Sequence, residues 1–367
     1  MKTVVIRCLE ELCRWERPWK ELTENLEYPE IFSTWEWLQS YVSHMFSPNR
    51  QLFVVLVIDQ DRCIAAAPMC IVQQPIKWMR IRSLQFILSG TGETNSFYIH
   101  KYVHYMKALK EIFNVLHAHR QEWDCIDLHN IHSLDPVTGL IGQACGSDYD
   151  VFSHSRSITP YVNLERFHQG KLARSRIKAI ERKERKLRND LETRLEIHVL
   201  IEERTWENLI DMHKERWAQS LFGVQETMRF YGDIISKFHE LDGAHISYIE
   251  INGSVASAML TFSHKSKVYL YITSFSQQYM EYGVGLILLN KVMEHYLQSG
   301  ITEIDLMSGT QEYKFFWSDT VRVNNHIRMI ERQSGKTWLK AYTLLQVNKD
   351  HLKSLLFEKA QHRRVRR

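Results

Sequence analysis

A run of hairpin, strand, helix and strand occurs twice along this chain, and that repeat limits the possible folds more than any other feature. In the first copy, Leu52 to Ile58, a polar turn at Asp59 to Arg62 and Cys63 to Val72 read as a β-hairpin. In the second, Ile246 to Ile251 and Ser254 to Phe262 flank Asn252-Gly253, a pair suited to a two-residue hairpin turn. Cys63-Ile64-Ala65-Ala66-Ala67 aligns with Ser254-Val255-Ala256-Ser257-Ala258. A helical stripe follows in each copy: Val103, Met106, Leu109, Phe113 and Leu116, then Leu286, Leu289, Met293 and Leu297. Each stripe leads to a strand, and Ile126-Asp127-Leu128 recurs as Ile304-Asp305-Leu306.

Alternating strands and helices imply an α+β layered fold with two tandem domains, each a mixed central sheet flanked by helices. A chain of 367 residues has room for both. The junction falls between Asp150 and Phe167, giving domains over 1–155 and 156–350 and a basic tail over 351–367.

Composition narrows the class. Apolar residues make up 44 % and charged residues 25 %, and 15 Gly and 7 Pro are too few for a fibrous or disordered chain. The longest apolar runs, Leu52 to Ile58 and Cys63 to Val72, fall far short of the ~20 residues that span a bilayer. Lys2, Arg7 and Glu10 leave no apolar core for a signal peptide. None of the 6 cysteines forms a Cys-x-x-Cys pair, which points to a reduced, cytoplasmic protein.

The net charge of +4 is ordinary, but its distribution is not. Lys171 to Arg188 carries nine basic residues against Glu181 and Glu184. Ile177, Ile180, Leu187 and Leu191 make this segment an amphipathic helix opening the second half. Its basic side is a solvated face, or a contact surface for an anionic partner; a nucleic acid is the less expected one.

Chemistry concentrates between Val268 and Leu306. A β-rich run, Val268 to Thr273, leads into a polar loop from Ser274 to Tyr282, and Gly283-Val284-Gly285 opens a long helix. Unpaired N–H groups and the helix dipole make such a helix start a phosphate site, and glycines let a ligand reach the backbone. No Gly-Lys-Ser/Thr follows and no third glycine is present, so neither a P-loop nor a dinucleotide fingerprint applies. His100 and His104 lack a third ligand, so no metal site is expected, and no Gly-x-Ser-x-Gly elbow occurs.

Met280-Glu281-Tyr282-Gly283-Val284-Gly285 resembles the pyrophosphate loop Arg/Gln-x-x-Gly-x-Gly/Ala of the GNAT acyltransferases, with Met280 in place of the leading Arg or Gln. Ile31 to Leu38, Ile64 to Met69, Ile304 to Gly309 and Tyr313 to Trp317 resemble a bacterial subfamily with two tandem GNAT-like halves, of the cellulose- or exopolysaccharide-biosynthesis type. The resemblance covers roughly Glu10 to Val347. It implies a C-terminal half that binds acetyl-CoA or another acyl-CoA through Ser274, Tyr282, Gly283, Val284, Gly285 and Leu286; the N-terminal half is expected to hold no cofactor, because Glu93 in its counterpart loop, Thr91 to Ser96, would repel a pyrophosphate. It also implies transfer of the acyl group to a sugar, a polysaccharide precursor or another small amine or hydroxyl.

Four residues are candidates for catalysis on the same basis. Tyr313 is placed to protonate a leaving thiolate, or to pack as a core ring beside Phe316 and Trp317. Lys314 is placed to neutralise an oxyanion. Asp305, at a strand end, orients an amine or caps the next turn; its counterpart Asp127, in a half without the glycine loop, favours capping. Glu250 is a base or an exposed strand residue. The peptidoglycan-bridge aminoacyl transferases share the doubled fold but draw on aminoacyl-tRNA; the helix from Lys171 to Leu191 is short for their two-helix arm. A catalytically silent binding protein of the same fold is the third reading.

Overall fold

The computed structural model describes residues 1–349 except 78, 90–93, 170 and 319, with backbone alone at 167–173. The chain opens with β1 (Lys2–Ile6), α1 (Leu9–Cys13), α2 (Glu16–Glu24) and α3 (Trp35–Met45). Then come β2 (Arg50–Asp59), β3 (Arg62–Ile76), β4 (Met79–Phe86), β5 (Tyr98–Ile99) and α4 (Tyr105–Ala118). β6 (Cys125–His132), α5 (Pro136–Ala144) and β7 (Tyr149–Asn163) complete the first half. The second half runs α6 (Leu164–Gln169), α7 (Lys171–Asp190), β8 (Thr193–Val199), α8 (Glu203–Arg216) and α9 (Gln225–Glu240). It continues with β9 (Ala244–Ile251), β10 (Ser254–His264), β11 (Lys267–Phe275) and α10 (Val284–Gln298). β12 (Glu303–Asp305), α11 (Glu312–Trp317) and β13 (Thr320–Glu331) follow, and residues 337–349 are helical.

The described residues form two compact units, one of residues 1–42, 46–157 and 322–349, the other of 43–45 and 158–321. In the first, the strand order is β1-β2-β3-β4-β6-β13, with β5 on β3. Among the described strand pairs of this unit only β4 and β6 are parallel. Gln60 and Asp61 turn the β2–β3 hairpin at φ 47° and 62°. Leu52 to Val57 are all buried, which explains their unbroken apolar run. Ala108, Leu109, Ile112, Phe113 and Leu116 of α4 pack against this sheet.

The second unit repeats the plan. β9, β10 and β11 are antiparallel, Asn252 and Gly253 turn the hairpin at φ 49° and 79°, and β11 and β12 are parallel. β8 pairs with β9 on one side, and Tyr161 to Asn163 of β7 pair with β12 on the other. α10 buries Val284, Ile287, Leu288, Val292, Met293 and Tyr296, and Ile180 and Leu187 of α7 join the same core.

The boundary differs from a single break in the chain. Residues 322–349 fall in the first unit, not with 156–321, because β13 pairs with β6 from Asn324↔His132 to Met329↔Ile126. The final strand of each sequence repeat thus completes the sheet of the other unit. The tail over 351–367 lies outside the described residues. No helix among them is long and apolar enough to cross a membrane.

Candidate active site

The site in the second unit begins where two parallel strands part. β11 pairs with β12 only at Lys267↔Glu303, Val268↔Ile304 and Tyr269↔Asp305. β11 then continues to Phe275, held by β10 on its other side, while the chain after Asp305 turns away. Asp305 Oδ1 accepts the Met307 N–H at 2.8 Å, and Met307 takes a left-handed φ of 63°. Lys314, from α11, is buried and donates to the carbonyls of Met307 at 3.0 Å and Ser308 at 2.6 Å. Asp305 and Lys314 therefore build the turn that separates the strands.

Beyond β11, a 3₁₀ segment from Gln277 to Tyr282 leads to Gly283, whose φ of 68° and ψ of 39° suit a residue without Cβ. α10 starts at Val284, and its first backbone bonds run from Leu286 and Ile287 to the Gly283 carbonyl, at 2.9 and 3.1 Å. The Val284 and Gly285 N–H groups precede those bonds, at the positive end of the helix dipole. No acidic residue occupies the first turn.

A cavity of about 280 Å³ lies against this helix start. Met259, Phe275 and Leu289 make it apolar, and Thr273, Ser274, Arg216 and Tyr313 add polar groups. Ser274 is 1 % exposed, and its Oγ has no hydrogen-bond partner among the described residues. The Arg216 guanidinium lies 4.4 Å from the Phe275 ring centre. Burial raises the Tyr313 phenol pKa, partly offset by a hydrogen bond with Thr273 and the charge of Arg216, so the hydroxyl keeps its proton at neutral pH.

Of the residues expected from sequence, Ser274, Gly283, Val284, Gly285, Leu286 and Tyr313 meet on this cavity. Tyr282 lies off its wall and its hydroxyl donates to Asp190 at 3.3 Å. Glu250 sits in β9 opposite Arg194 of β8, away from the cavity. Arg216, Met259, Thr273 and Phe275 also line it. Thr273 and Phe275 flank Ser274 and were within reach of a local reading; Arg216, at the end of α8, carried no sequence signal.

In the first unit, Asp127, His129 and His326 bring ligand atoms within 4.8 Å of one another. The oxygens of Asp127 are already taken. Arg328 donates to both, at 3.0 and 2.9 Å, His326 Nε2 lies 2.5 Å from Oδ1, and His129 Nε2 lies 3.2 Å from Oδ2. A cation there would compete with the guanidinium, so the group is built as a buried ion pair. Burial opposes ionisation of Asp127, but the bonds from His129 and His326 and the charge of Arg328 hold its carboxyl well below the usual range.

Residues 174–315 match the family model described as acetyltransferase (GNAT) domain. This stretch carries the cavity and the glycine loop, and it is similar to the domains of that family. No curated protein matches the chain in sequence. Among solved structures, the chain is similar to FemX at 9 % identity and a TM-score of 0.60, over 89 % of this chain and 97 % of that one. It is similar to a conserved protein of unknown function from Bacteroides thetaiotaomicron at 10 % identity and a TM-score of 0.55, over 89 % and 100 %. L-PGS from Bacillus licheniformis is similar at 14 % identity and a TM-score of 0.53, over 90 % and 96 %. Likeness at these identities is likeness of fold.

Proposed function

We propose that the second unit transfers an acyl group from acetyl-CoA or another acyl-CoA directly to an amine or hydroxyl of a sugar, polysaccharide precursor or similar small acceptor. One observation carries this reading: the start of α10, Ser274 and Tyr313, whose phenol keeps its proton, all line one cavity beside the parted strands. The thioester supplies an acyl group with a good leaving group. The chain supplies the rest. The Val284 and Gly285 N–H groups receive a pyrophosphate. The edge of β11 beyond Tyr269 offers backbone N–H and C=O groups to an extended, amide-bearing arm. Tyr313 donates its proton to a departing thiolate. Asp305 and Lys314 act by holding the turn that keeps this edge open.

The first unit is proposed to bind no cofactor, giving one acyl-CoA per chain; of its counterpart loop, Thr91, Gly92 and Glu93 lie outside the described residues. A reducing, cytoplasmic setting is proposed from six free cysteines, among them Cys63, Cys70, Cys125 and Cys145, all buried. A second reading, transfer from aminoacyl-tRNA, draws on the exposed basic residues Arg174, Arg182 and Arg185 of α7.

Thermal denaturation with coenzyme A and acetyl-CoA tests the first reading, because a ligand of the folded state raises the midpoint by mass action. A rise that saturates at one equivalent in calorimetry is expected. No shift with either ligand, together with salt-sensitive binding of aminoacyl-tRNA, would move the assignment to the second reading.

A further inference from the structure

Met280, at the position where the GNAT loop pattern carries Arg or Gln, is 62 % exposed and brings no charge to the loop. Cations reach it from another element. α7 packs beside α10, its register fixed by buried Ile180 and Leu187. From the flank of α7, Lys183 lays its stem across Gly283: its Cδ is 3.2 Å, and its Nζ 3.5 Å, from where a Cβ on Gly283 would stand. That Nζ lies 3.5 Å from the Glu281 carbonyl. One turn on, the Lys186 ammonium lies 5.0 Å from the centre of the Tyr282 ring. Neither lysine forms an ion pair among the described residues.

This placement is electrostatically costly by itself. An ammonium beside the start of α10 meets the positive end of its dipole, and no acidic residue in the first turn relieves it. An anion bridging the helix N–H groups and the two ammoniums turns repulsion into attraction. Ser274, whose buried Oγ has no hydrogen-bond partner among the described residues, lines the adjoining cavity.

We propose that Lys183 and Lys186 are the phosphate-binding cations of this site, supplying from α7 the charge that Met280 does not. The site would then select a thioester carrying a nucleotide pyrophosphate over the bare pantetheine thioester. Gly283 serves twice, by its left-handed φ and by leaving room for the Lys183 stem. The inference rests on the acyl-CoA reading.

Calorimetry with acetyl-CoA and with S-acetylpantetheine, which lacks the pyrophosphate, tests it on the full chain. Lys183→Gln and Lys186→Gln keep most of each stem and remove the charge. Each is expected to weaken acetyl-CoA binding by roughly tenfold, within the range of a charge-assisted hydrogen bond, and the double variant to flatten its salt dependence. S-acetylpantetheine binding, thermal midpoints and a Lys178→Gln control should stay unchanged. If the wild type binds acetyl-CoA and both lysine variants bind within twofold of it, the lysines are a solvated face and the proposal falls while the acyl-CoA reading stands. Equal weakening by Lys178→Gln would make the effect long-range charge and also overturn it. Failure of the wild type to bind acetyl-CoA would remove the reading beneath it.

Discussion

Arg328 grips Asp127 through two parallel bonds, Nε to Oδ1 at 3.0 Å and Nη2 to Oδ2 at 2.9 Å, with both side chains buried. The two residues stand opposite each other in the β6–β13 register. Asp305 holds the matching position in the second sequence repeat, where Tyr161 stands opposite it in the register and its Oδ1 accepts the Met307 N–H. One sequence position thus serves as half of a buried ion pair in one unit and as the cap of a turn in the other.

Asp127→Ala strands a buried guanidinium. Breaking one side of a buried pair costs about 3–5 kcal/mol. Asp305→Asn keeps an acceptor for the Met307 N–H and should cost about 1 kcal/mol. Urea denaturation of the two variants should separate them clearly; equal midpoints would show that the Asp127 pair contributes little.

Stability should fall with acidification below neutrality. Burial pulls His326 down to about 4, and burial with the neighbouring His245 and His295 pulls His198 to about 4. An unfolded histidine takes up a proton near pH 6.5, so between there and pH 4 the unfolded chain binds more protons and is favoured. Asp127, held low in the folded state, extends the loss below the unfolded carboxylate value of about 3.9. The urea midpoint at pH 5 should lie below that at pH 7.5, and the drop should be smaller in His326→Gln. Level midpoints would refute this.

Gly285→Glu places a carboxylate where the pyrophosphate is proposed to approach. A Cβ at Gly285 meets Phe275 Cδ1 at 3.3 Å, so the ring must shift by a few tenths of an ångström and the midpoint should drop slightly. Acetyl-CoA affinity should collapse. Normal binding by this variant would reduce the loop to a helix start.

Tyr313→Phe removes the hydroxyl that bonds Thr273 and keeps the ring. Turnover should fall about 10²–10⁴-fold, the span of general acid catalysis, with near-normal acetyl-CoA affinity. A fall of less than about threefold, with chemistry limiting, would make Tyr313 a packing residue.

Lys314→Met fits the volume of a buried stem but loses both bonds to the Met307 and Ser308 carbonyls. A loss of about 1.5–3 kcal/mol is expected from bonds to a charged group. A variant as stable as the wild type would deny Lys314 its hold on the turn.

The sequence by itself determined the features written in short stretches: the paired hairpins, with a polar turn at Asp59 to Arg62 and a left-handed one at Asn252-Gly253, the helical stripes, and a strand–loop–helix ending in Gly283-Val284-Gly285. Each rests on a local cause, a φ sign or a periodicity, that neighbouring residues fully specify. Tertiary structure decided the rest. A buried and an exposed lysine look alike in sequence, so only packing set Lys314 inside the turn and laid Lys183 across Gly283. Arg216 reached the cavity because α8 ends beside Phe275. The exchange of β7 and β13 was equally hidden, since a two-residue alternation fits any open sheet edge; register and burial select the partner, and residues far apart in the chain, such as Asp127 and Arg328, then meet.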